Sequence, residues 1–137
     1  MRVRFISSNP HKFAEVREIL ARFSVEVEWV RMEYPEIQSD SLEEVAVEAC
    51  LWLRGRVDEP FFVEDAGLFI EALQGFPGPY SSYVFRTIGN EGILKLMDGL
   101  SNRSAVFRSV IGLSEGGSVK TFLGETPGRI SDSPRGG

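Results

Sequence analysis

Apolar and polar residues alternate along the chain in two periods, and the switches between them mark its elements. Val3, Phe5 and Ile6 predict a short first strand. Phe13, Val16, Ile19, Leu20 and Phe23 then recur at helical spacing, with Glu15, Arg17, Glu18 and Arg22 between them. Ser8 or Asn9 is placed to cap that helix, and Pro10 suits its first turn. Val25, Val27, Trp29 and Val30 alternate with Glu26 and Glu28 as a second strand. Ser41 and Glu44 have the spacing of a capping box ahead of Leu42, Val45, Ala46, Ala49, Cys50 and Leu53, and Gly55 closes that helix. Phe61, Phe62 and Val63 read as a short buried strand whose tip carries Glu64 and Asp65.

The second half is more broken. Gly75, Pro77, Gly78 and Pro79 predict a stiff irregular turn, followed by Tyr80, Tyr83 and Phe85. Gly89 to Gly92 opens a short helix through Ile93, Leu94, Leu96 and Met97. Ala105 to Leu113 is a strand, and Glu115-Gly116-Gly117-Ser118 a hairpin turn into Val119 to Leu123. From Gly124 the chain reads as polar and without a closing apolar element. The order strand–helix–strand–helix–strand predicts a mixed α/β layer architecture in a single domain over residues 1–137.

Three positions carry candidate chemistry. The first strand runs into a helix N-terminus through Ser7, Ser8 and Asn9, with Lys12 in the first turn. Backbone N–H groups, the positive helix end and an ammonium suit an anion such as phosphate; an ordinary strand–helix turn with a surface lysine has the same residues. Glu64 and Asp65 end an apolar strand, where carboxylates need a cation or full solvation. Glu36 stands in the polar connection Pro35-Glu36-Ile37-Gln38.

Composition narrows the chemistry. A net charge of -5 without a basic stripe argues against a nucleic-acid binder, while leaving small anionic ligands open. The single histidine, His11, excludes a multi-histidine metal site, and Cys50 lies in a helical apolar pattern as a structural thiol. No apolar run approaches the roughly 18 residues of a membrane span, and no signal peptide opens the chain, which predicts a cytoplasmic protein. What remains is oxygen chemistry: Glu36, Glu64 and Asp65 are hard ligands that suit Mg²⁺, which takes one or two carboxylates and completes its shell with water and phosphates. The residues point to metal-assisted hydrolysis of a phosphate ester or anhydride.

Four stretches in order, Ser7 to Glu15, Pro35 to Gln38, Val63 to Leu68 and Gly75 to Ser81, resemble the inosine/xanthosine triphosphate pyrophosphatases of the Ham1 type, archaeal members above all. The resemblance implies a long mixed sheet flanked by helices in two lobes around a central cleft, usually as a homodimer. It implies Mg²⁺-dependent hydrolysis of ITP, dITP and XTP to the monophosphate and pyrophosphate. Ser7, Ser8, Asn9 and Lys12 match its phosphate-contacting loop, and Ala66 stands at a further substrate contact where many members carry Ser or Thr. Glu36 matches a metal ligand, Asp65 a metal ligand and proton acceptor for the attacking water, and Glu64 a supporting acid.

Two departures follow. A lysine common in the second helix of relatives has no counterpart in Val47-Glu48-Ala49. Base-recognition segments that relatives carry after Arg135-Gly136-Gly137 do not occur, so the expectation is a C-terminally truncated member with weak base discrimination. A nucleotide-binding relative with little turnover, or a Maf-type enzyme acting on modified pyrimidine triphosphates, are the competing readings. Tyr80, Tyr83 and Phe85 are either core or the dimer contact.

Overall fold

A computed structural model describes residues 1–134. In chain order the elements are β1 (Arg2–Ile6), α1 (Pro10–Ala21), β2 (Glu26–Val30), α2 (Leu42–Leu53), β3 (Phe61–Ile70), a single 3-10 turn (Glu71–Leu73), β4 (Pro77–Gly78), α3 (Ser81–Thr87), α4 (Gly89–Met97), β5 (Ser104–Glu115) and β6 (Ser118–Arg129). All six strands belong to one mixed sheet in the order β2-β1-β3-β5-β6, with β4 attached to β3. β1 runs parallel to β2 and to β3, and β3 antiparallel to β4. The mixed α/β class is therefore as the sequence predicts. No helix among the described residues is long and apolar enough to cross a membrane. The expected end of the chain at Arg135 to Gly137 lies outside the described residues.

Two compact units divide the molecule. The first comprises Met1–Asp65 and Val110–Phe122; of the described residues the second comprises Ala66–Ser109 and 123–134.

In the first unit the parallel register sets Val3 beside Val27 and Phe5 beside Trp29. Phe5 stacks on Phe62 of β3 with ring centroids 4.7 Å apart. Phe13, Val16 and Leu20 of α1, spaced by three and four residues, pack on this cluster. Ile19 and Phe23, which share the apolar periodicity, are exposed instead. Ile19 lies one position round the helix, and Phe23 falls after its end. α2 buries Leu42, Val45, Ala46, Ala49, Cys50 and Leu53. Its small residues meet Gly112 of β5, where an added Cβ would lie 3.1 Å from Cys50 Sγ and 3.2 Å from Ala46 Cβ. Helix and strand approach closely because neither carries bulk there. Burial pushes the Cys50 thiol up to about 11, although Arg54 pulls the other way.

Both caps form. Asn9 Oδ1 accepts from the backbone N–H groups of His11 and Lys12, and Ser41 Oγ accepts from that of Glu44. The capping box, however, closes through a third residue. Ser39 Oγ accepts from Ser41 N at 3.0 Å and donates to Glu44 Oε2 at 3.0 Å, where the simple box would join Glu44 to Ser41 directly.

In the second unit Ile70, Met97 and Ala105 form the buried centre. β3 does not stop at its acids, as the sequence suggests, but continues to Ile70. The reason is Gly67. A Cβ there would lie 2.2 Å from Gly78 O, so only glycine lets β4 pair with Leu68 and Phe69. Ser81 Oγ fastens the junction, accepting from Leu68 N at 2.8 Å and donating to Gly78 O at 2.6 Å. β6 likewise extends to Arg129, beyond the expected end at Leu123. Its residues are almost all exposed, so no alternation marks it in the sequence. The aromatic stretch after the turn forms α3, on which Tyr83 and Phe85 are exposed, at 61% and 64%, and are not core.

Arg103 closes this unit. It is buried, and donates from Nη1 to Met97 O at 2.8 Å, from Nε to Ile130 O at 3.1 Å and from Nη2 to Ser131 O at 2.8 Å. The exit of β6 is thereby joined to the end of α4.

Candidate active site

The loop between β1 and α1 is shaped mainly by its own hydrogen bonds. Ser7 N donates to Val30 O at 3.2 Å, continuing the β1–β2 ladder one residue beyond the strand. Trp29 Nε1 donates to Ser7 O at 2.8 Å. Ser7 Oγ accepts from Asn9 N at 3.1 Å, and Asn9 Oδ1 takes His11 N at 2.9 Å and Lys12 N at 3.4 Å. Three N–H groups that the sequence offered to an anion therefore already have an acceptor in Ser7 or Asn9. Ser8 is exposed, and its hydroxyl has no partner among the described residues. His11 is exposed on the first turn of α1.

Lys12 is paired. Its Nζ lies 2.6 Å from Glu64 Oε2, with side-chain exposures of 35% for the lysine and 11% for the glutamate. The β1–β3 register explains why. Phe62 is opposite Phe5, so Glu64, two residues on, lies level with Ser7 where α1 is about to begin. An almost buried carboxylate thus meets the ammonium it requires. An ammonium has three donors, and the exposed part of Lys12 leaves room for a second acceptor. The pairing joins two residues 52 positions apart, which spacing alone does not reveal.

The charges of Glu36, Asp65 and Glu64 all act on a residue the sequence reading passed over, Tyr34. Burial first, and then the charges of Glu36, Asp65, Glu64 and, least, Cys50, hold its phenol well above the usual range. Tyr34 is therefore a neutral O–H donor in a field of carboxylates at any pH near neutrality. Its signal in the sequence was an aromatic residue in an otherwise polar connection, immediately before Pro35-Glu36. Glu36 is exposed and Asp65 half-buried. Among the described residues no group of three or more His, Cys, Asp and Glu is placed to hold a metal. Glu36 and Asp65, whose charges both act on Tyr34, are hard oxygen donors of the kind Mg²⁺ takes, the ion drawing its other oxygens from water and phosphate. Ala66, next along β3, is half-buried and brings no side-chain donor.

The second unit has a cavity of about 330 Å³ between α3, α4 and the exit of β6, lined by Leu68, Ser81, Val84, Ile93, Arg129 and Ser131 among others. None of the residues singled out in the sequence for phosphate or metal lines it.

Comparison with known proteins supplies the context for this geometry. A family model described as the Ham1 family matches residues 3–137. The dITP/XTP pyrophosphatase of Methanopyrus kandleri is 56% identical over 137 residues, spanning 99% of this chain and 73% of the relative. That of Pyrococcus horikoshii is 54% identical over 136 residues, with coverage of 99% and 73%. Among solved structures, a HAM1 protein from Coxiella burnetii superposes with a TM-score of 0.83 at 26% identity, over 99% of this chain and 76% of that one. The Ham1 protein of Staphylococcus aureus gives 0.81 at 23% identity, with coverage of 99% and 75%, which is a likeness of fold.

Proposed function

The chain belongs to the Ham1 family, and from that membership we propose that it hydrolyses non-canonical purine nucleoside triphosphates (ITP, dITP and XTP) to the monophosphate and pyrophosphate, with Mg²⁺. The observation that carries the reading is the 2.6 Å ion pair of Lys12 with the nearly buried Glu64 at the N-terminus of α1, next along β3 to Asp65. A polyanionic substrate and a hard cation answer that arrangement of charges, and the curated relatives at this identity are named for such a substrate.

Glu36 and Asp65 would hold the cation, which when bound neutralises the triphosphate and favours charge build-up on it. Lys12 uses its remaining donors on the phosphate chain, and the Ser8 hydroxyl adds a neutral donor beside it. Asp65 orients the attacking water and accepts its proton as oxygen bonds to the α-phosphorus. The bond from the α-phosphorus to the bridging oxygen breaks, and pyrophosphate leaves with its charge met by Lys12. Tyr34, kept neutral, adds no negative charge of its own beside these carboxylates.

We place the activity in the cytoplasm, in a homodimer that buries the exposed Tyr83 and Phe85 of α3. The test of function is direct: incubate the protein with ITP, XTP, ATP and GTP plus Mg²⁺, and measure products. Monophosphate with equimolar pyrophosphate is expected; release of orthophosphate and diphosphate, or no turnover of any substrate, overturns the reading.

A further inference from the structure

We propose that Trp29 is a positioning residue for the anion loop, clamping it at both ends so that Ser7, Ser8 and Lys12 are arranged before substrate arrives. The inference rests on the reading of that loop as the phosphate site. It comes from four contacts of one side-chain stack.

At the start of the loop the indole N–H donates to Ser7 O at 2.8 Å. At its end the indole ring stacks on Phe13, with centroids 5.1 Å apart and planes 11° from parallel. Arg17 lies over the Phe13 ring at 5.3 Å and Arg31 over the Trp29 ring at 5.5 Å, so each ring of the stacked pair also meets a guanidinium. Neither arginine has a carboxylate partner among the described residues.

The strand dictates this placement. Alternation along β2 points Val27 and Trp29 to the side on which α1 packs, and Val25, just before the strand, packs on the same cluster. Val25 and Val27 meet the helix body, while Trp29, further along, reaches its first turn. Val30 O holds the Ser7 amide, and Trp29 holds the Ser7 carbonyl. Consecutive β2 residues thus fix both faces of one peptide-bearing residue, and the φ and ψ of the loop entry follow from that. Asn9 then fixes the interior of the loop by capping α1. A loop restrained at entry, interior and exit loses little conformational freedom on binding an anion, and that freedom otherwise weakens affinity.

Trp29 touches no reacting atom, so its loss shows in binding and not in the chemical step. Trp29→Phe keeps a ring over Phe13 and removes only the bond to Ser7 O. With one hydrogen bond lost, tripolyphosphate is expected to bind about three- to tenfold more weakly. KM for ITP rises by a similar factor, with kcat within about twofold of the parent. Trp29→Leu, which also removes the stack, weakens binding further.

A second measurement needs no change to the clamp. In Trp52→Phe, which replaces the other indole, on α2 beneath Arg56, Trp29 is the sole tryptophan. Its fluorescence is expected to change saturably with added tripolyphosphate in EDTA. The proposal is overturned if Trp29→Phe binds tripolyphosphate and turns over ITP as the parent does. It also falls if kcat drops while affinity is unchanged, or if the fluorescence of Trp29 is indifferent to tripolyphosphate. The functional reading fails separately: a parent that binds tripolyphosphate with the expected Trp29 response, yet hydrolyses no nucleoside triphosphate, loses the assigned reaction and keeps the clamp.

Discussion

Deleting one partner of the Lys12–Glu64 pair should have unequal consequences, depending on which partner is lost. Glu64 is 11% exposed and Lys12 35%. Lys12→Met preserves the aliphatic stem and the helix, since both residues are good helix formers, but leaves a nearly buried carboxylate without its cation. In a fully buried pair that costs about 3–5 kcal/mol. Water reaches the position vacated by a part-exposed ammonium, so about 1–3 kcal/mol is expected here. For a chain of this size that lowers Tm by about 3–10 °C. Glu64→Gln leaves a lysine that water can solvate, and an amide that still accepts a hydrogen bond, so its cost should stay within about 1 kcal/mol. The double variant, with neither charge, should recover most of what Lys12→Met loses. Thermal and urea unfolding of the four proteins give the cycle. In parallel, calorimetry should show weaker binding of tripolyphosphate to Lys12→Met. Equal destabilisation by the two single changes would refute the argument from burial, and an unchanged affinity would return Lys12 to a purely structural role.

Other outcomes follow from the same structure. Asp65→Asn should reduce ITP turnover by about 10²–10⁴ with the melting curve little moved; near-parent kcat would remove its role as proton acceptor. Gly67→Ala should cost several kcal/mol, on the order of 3–5, because the new methyl forces β4 from β3 and strains the Ser81 bridge; circular dichroism should record an early melt. The thiol of Cys50 is raised from about 9 to about 11. The stability it contributes as a neutral group is therefore complete below pH 9 and is lost as pH rises towards and through 11. Unfolding free energies of the parent minus those of Cys50→Ala should be flat below pH 9 and fall above it. Light scattering should report a dimer that Tyr83→Ser and Phe85→Ser weaken together, and a parent that is monomeric at high concentration would remove that assignment.

Local signals in this sequence were the ones most easily read. Asn9 and Ser41 cap where their neighbours require it, because a cap depends on residues two or three positions away. The Gly116-Gly117 turn was equally plain, as both residues take positive φ. Gly67 misled, since a glycine after two acids reads as a strand end when its actual purpose is close approach by another backbone. The last residues of β6 gave no signal because exposure on both faces erases the period of two. At the site, residue types identified Glu36, Glu64, Asp65 and Lys12 as the chemistry-bearing set. That Lys12 answers Glu64, that Tyr34 stands among the acids, and that Trp29 holds Ser7 depend on strand register, which no single segment encodes.

Arg103 bonds to carbonyl oxygens of the main chain at Met97, Leu100, Ile130 and Ser131. Every amino acid has that oxygen, so the side chains at those four positions can drift through mutation without releasing the anchor. The burden of identity is thereby concentrated on one codon. Lysine in its place has one nitrogen and cannot span acceptors on two segments in the same way. Over evolutionary time the joint between α4 and the end of β6 should thus combine variable sequence on the receiving side with an intolerant donor, a pattern that saturation mutagenesis of the five positions would display directly.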